Sequence, residues 1–133
     1  MNLEINLKAK DKEGQEIDKI VRFRLPSKES IELEKEAGKP LMEYLDESSM
    51  SMIIKILKYM RRWEEPNFND NEATKLYDLL IENGWTMKRI VNDIICETLV
   101  ICGFLERAEW EKMKELKEEA TKRLLQIKAS VNK

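Results

Sequence analysis

The acids are the natural place to look for chemistry in this chain. Asp93 and Glu97 stand four residues apart, and Glu64 adjoins Glu65 just before the loop-like stretch "EPNFNDN". Paired carboxylates hold a divalent cation or do acid/base work when another ligand type or a basic partner stands beside them. The sequence offers neither pair such a neighbour, and 26 acids among 133 residues bring carboxylates together by chance. Histidine is absent. That removes the commonest general base, the commonest zinc ligand and any Ser-His or Cys-His nucleophile. Cys96 and Cys102 lie six residues apart in one apparent helix. Six residues turn roughly 600°, so the two thiols face apart and cannot bridge within a regular helix. They read as small buried hydrophobes in a reducing compartment. The residues therefore predict no enzyme, no cofactor and no metal site.

A second constellation is basic. "ENGWTMKRIVNDIICETLVICGFL" stops one helix at Gly84, caps the next at Thr86 and places Lys88 and Arg89 on its first turn. A helix-turn-helix presents such a pair to phosphates. Asp93 and Glu97 follow on the same polar face, where they would repel a nucleic-acid backbone. The chain has 24 Lys+Arg against 26 Asp+Glu, a net charge of −2. That lacks the basic surplus that phosphate neutralisation rewards. Arg89, Asp93 and Glu97 read more simply as a solvated face, with no nucleic acid as partner.

The elements behind these residues follow from periodicity. Leu3, Ile5, Leu7 and Ala9 alternate with polar residues, as do Val21, Phe23 and Leu25. Asp11 to Gly14 fits a type I turn with Gly14 left-handed, so residues 1–25 read as an antiparallel hairpin with one apolar face. Ser27 or Ser30 is the expected cap of a first helix that Gly38 closes, and Pro40 opens a short one. Ser48 or Ser49 caps "SMSMIIKILKYMRRWEE". There Met50, Ile53, Ile54, Leu57 and Met60 form one stripe, and Met52, Ile56, Tyr59 and Trp63 a second. A helix apolar on two faces belongs in the centre of a bundle or lays one face on a partner. We expect homo-oligomerisation through Met52, Ile56, Tyr59 and Trp63. Asn69 or Asp70 starts the next helix, carrying Ala73, Leu76, Tyr77 and Leu80. From Thr86, the residues Met87, Ile90, Val91, Ile94, Ile95 and Leu99 are expected to face the core.

Residues 106–133 differ in being highly charged, with a narrow apolar stripe of Trp110, Met113, Leu116, Ala120, Leu124 and Ile127. Such a stripe is too thin for the middle of a core and suits a helix docked on another chain. The reading is one domain over 1–133: a hairpin (1–25), a helical core (27–105) and a charged C-terminal helix (106–133). The fold class is α+β, mostly α, with the hairpin on a bundle of five to six helices. The start of the chain has no apolar signal core, and the run Ile94 to Leu105, broken by Glu97, is too short to span a bilayer. A cytoplasmic protein with no membrane partner is expected.

The order of these parts, with "VRFRLPS" closing the hairpin, "IELEKEAGKPLMEYL" next and "GWTMKRIVNDIICETLVICGFL" ending the core, resembles the tail assembly chaperones of long-tailed bacteriophages and prophages. The resemblance covers roughly Leu3 to Leu105. It implies a non-catalytic protein of the bacterial host cytoplasm. Such a protein binds and shields the tape measure protein, or another phage tail protein, during tail morphogenesis and is absent from the finished particle. It brings no catalytic residues to carry over. Two other classes stand beside it: a helix-turn-helix DNA-binding regulator, and a small structural adaptor that stays in the particle.

Overall fold

A computed structural model describes residues 1–131. Two antiparallel strands, β1 (Leu3–Lys10) and β2 (Glu16–Phe23), pair from Leu3↔Phe23 to Lys10↔Glu16. The turn between them is built as its sequence demands. Gly14 donates to the Asp11 carbonyl at 3.1 Å, and Asp11 Oδ1 accepts from the Glu13 and Gln15 amides. Gly14 has φ 79°, a region that costs glycine nothing. Leu7, Val21, Phe23 and Leu25 on the inner face are buried.

Six helices follow. α1 (Ser27–Ala37) and α2 (Leu41–Leu45) form a bent pair around Gly38. Neither serine caps α1: Pro26 holds the N-cap position without a side-chain bond, and the Ser30 hydroxyl donates to the Ser27 carbonyl at 2.8 Å. Proline's fixed φ already sets the chain's entry, and Ser30 lies inside the first turn, where its hydroxyl bonds back along the helix.

α3 (Met50–Arg61) is capped by Ser49, which accepts from the Met52 amide at 3.1 Å. It is the central helix, touching α1, α4 (Asp70–Glu82), β2 and the helix that starts at Met87. Arg24 donates its amide to the Met60 carbonyl, and the Arg61 guanidinium donates to the Arg22 carbonyl. These bonds fix the end of the hairpin to the end of α3.

α5 (residues 87–101) starts at the Thr86 cap as a short α segment (Met87–Arg89). It then widens into a π-helix (Ile90–Cys96) and returns to α over Glu97–Ile101. Ile90, Ile94, Ile95 and Leu99 are fully buried. One apolar cluster thus runs from the hairpin through α1–α5. Each large aliphatic side chain withdrawn from water in it contributes roughly 1.5–3 kcal/mol.

α5 ends at Ile101, and Gly103 just beyond it, with φ 85°, reverses the chain. Phe104 donates to the Leu99 carbonyl at 2.8 Å, closing the turn. α6 (Arg107–Val131) then runs for 25 residues, about 38 Å at 1.5 Å per residue. None of the described helices is long and apolar enough to cross a membrane.

Candidate interaction surface

The root of α6 is fastened to the domain by one side chain and one carboxylate. Trp110 is fully buried, and its indole N–H donates to Glu97 Oε1 at 3.2 Å. Glu97 also accepts from Arg107 at 2.6 Å and lies 3.6 Å from the Lys114 ammonium. Burial would push the Glu97 carboxyl up, but Arg107, Trp110 and Lys114 outweigh it and hold the carboxyl below its usual range. Past Lys114, no described hydrogen bond or ion pair links α6 to another element.

This geometry divides the expected docking stripe. Trp110 is not part of an accessible surface; it anchors the helix to its own domain. On a helix it lies about 80° from the middle of the remaining stripe at 100° per residue, which turns it onto α5. Met113 (42% exposed), Leu116 (58%), Leu124 (61%) and Ile127 (60%) are open to solvent, and Ala120 is exposed between them. Leu125 is equally exposed at 61% on the far side of the helix.

The expected oligomer face is corrected more broadly. Met52 and Ile56 have no exposed surface and Tyr59 only 6%, all within a single chain. α1, α4, α5 and β2 pack against α3, so both apolar faces are largely core. Only Trp63 is half-buried, with Arg24 over its ring at 5.8 Å and its indole nitrogen without a partner. Of the methionines on this helix, Met52 and Met60 are core, and Met50 is 41% exposed.

The acid pairs are engaged by cations rather than aimed at a shared ligand. Asp93 pairs with Arg89 at 3.6 Å. Glu64 and Glu65 both grip Arg61, at 3.3 and 3.2 Å. Glu97 departs from the polar face on which α-helical spacing places it beside Arg89 and Asp93. The intervening π turns, with their i→i+5 period, rotate it toward α6. The basic pair is exposed, and Arg89 stacks on Trp85 at 4.3 Å from the ring centre. Among the described residues no group of three or more His, Cys, Asp or Glu is placed to hold a metal ion. Both cysteines are free thiols. Burial pushes the Cys96 thiol up to about 11, and Cys102 Sγ accepts from the Leu25 amide at 3.3 Å.

One cluster was not anticipated. Lys55 donates to Glu36 at 2.6 Å and to Asp70 at 2.8 Å, while Lys58 reaches Glu36 at 2.9 Å and Asp70 at 3.1 Å. The Tyr59 hydroxyl also donates to Glu36. Burial alone would raise the Glu36 carboxyl, but Lys55, Tyr59 and Lys58 bring it down to about 2. These groups link α1, α3 and α4, and every strong donor has an acceptor, as a structural knot requires. The signal in the sequence was Lys55 and Lys58, one turn apart in an otherwise apolar helix. A recess of about 930 Å³ between the hairpin and α4 is rimmed by charges of both signs, including Lys19, Glu72 and Lys75.

No family model, curated protein or solved structure matches this chain.

Proposed function

We propose that this protein is a non-catalytic binding protein that shields an apolar helical client, acting as a tail assembly chaperone with the tape measure protein as client. One observation supports the binding role above all others. The outer part of α6 holds Met113, Leu116, Leu124 and Ile127 in water, while a buried tryptophan at its root fixes the helix in place. A soluble chain that leaves a continuous apolar line on a projecting helix has surface to offer a partner. Helix-in-groove recognition uses anchors at this spacing. The assignment of the client rests on the resemblance in element order and motif described above.

Co-expression tests it. The full chain should keep a tape measure protein from the same locus in the soluble fraction. A Leu124→Glu/Ile127→Glu variant should leave that protein in the pellet while its own fold, read by near-UV circular dichroism, is unchanged. A double variant that solubilises the client as well as the parent chain does would defeat the proposal.

A further inference from the structure

We infer that the outer part of α6 selects a partner helix whose own apolar seam is flanked by acidic residues. This rests on the reading of α6 as a docking surface and adds the chemistry of what it accepts. At 100° per residue, Met113, Leu116, Ala120, Leu124 and Ile127 fall within an arc of roughly 80°. Lys117 and Lys128 border that arc on one side, Lys112 and Arg123 on the other, each about 60–80° from its middle. All four are exposed. Glu111, Glu115 and Glu118 lie about 140° or more away, on the back of the helix, and Glu119 about 100° away, just beyond Lys112. Glu109 is the one acid of the helix within the arc, about 20° from its middle at the body-proximal end. A chain with an overall charge of −2 thus presents an apolar line with cations along both borders.

That distribution decides between occupants. In a helix pair, the residues bordering the apolar seam face one another and set partner and orientation. Two copies of α6, parallel or antiparallel, would bring cation border against cation border, and juxtaposed like charges are unfavourable. A helix with Glu or Asp beside its apolar positions meets the same seam with opposite charges on both sides. The long aliphatic stems of Lys and Arg would extend the apolar contact while their charged ends reach those acids.

The test uses the full chain and two synthetic amphipathic peptides of about three heptads with identical leucine seams. One has glutamate at the flanking positions and the other lysine. Binding is read by fluorescence anisotropy at low and near-physiological salt. The glutamate peptide should bind roughly tenfold tighter than the lysine peptide, with the gap narrowing as salt rises. Reversing the border (Lys112→Glu, Lys117→Glu, Arg123→Glu, Lys128→Glu) should invert the preference. If that variant loses helicity, the matching set of glutamine substitutions should abolish the preference instead. Equal binding of both peptides overturns the charge selection and leaves α6 a docking surface. Binding of neither removes the docking reading as well. A dimer of the free chain that Leu124→Glu dissolves would assign the seam to a second copy and overturn the inference.

Discussion

Trp110 donates its indole N–H to Glu97 Oε1 at 3.2 Å, across the junction where one helix ends and the next begins. This contact separates what α6 does for its own domain from what it offers outside. Trp110→Ala should destabilise the protein by about 3–5 kcal/mol, the cost of emptying a filled aromatic site. Leu124→Ala, on the exposed stretch, should stay within about 0.5 kcal/mol. Urea denaturation of the two variants checks both values. Similar losses from both would mean that the outer helix packs on the domain.

Glu97→Gln addresses the same junction from the acceptor's side. The amide keeps the size of the side chain but loses the charge that Arg107 and Lys114 approach. We expect the root of α6 to loosen, with faster amide exchange around Trp110 and little change in the exchange of α3.

The central helix yields a prediction against the oligomer that its sequence suggests. Ile56 is fully buried within one chain, so Ile56→Ala should cost about 2–5 kcal/mol. Because no second chain is needed to cover it, the unfolding midpoint should not depend on protein concentration. A midpoint that rises with concentration would restore Met52, Ile56 and Tyr59 to an interface.

Acid stability should depend on the Glu36 cluster. Its folded-state carboxyl sits at about 2, below the ordinary 4.5, and Asp70 is also lowered, chiefly by its hydrogen bond from Lys55. A depressed carboxylate contributes stability above its unfolded pKa, and that contribution disappears as pH falls through the folded one. Stability should therefore decline between about pH 4.5 and 2, and Glu36→Gln should flatten that decline while lowering the plateau at neutral pH. Thermal melts across the window measure both effects.

Much of the fold was legible because its signals are local. The hairpin announced itself by alternation and by Asp11 and Gly14. Ser49, Asn69 and Thr86 each accept from a backbone amide at a helix start, as their positions suggested. What was not legible depends on contacts distant in sequence. Nothing in "IVNDIIC" marks a π-helix, so the rotation that brings Glu97 to Trp110 could not be read from α-helical spacing. The two apolar faces of α3 gave no sign whether chain or partner covers them; the fold answers by placing α3 in the middle. Trp110 shares three- and four-residue spacing with the stripe, and only its neighbours in space separate anchor from surface.

Ending the chain after Lys117 keeps Trp110, Lys114 and their bonds to Glu97 while removing Ala120, Leu124 and Ile127. The shortened chain should unfold at a midpoint close to that of the full chain and should fail to hold a co-expressed tape measure protein in solution. A shortened chain that unfolds would show the outer helix to be part of the core. One that folds and still solubilises the client would place the binding surface elsewhere.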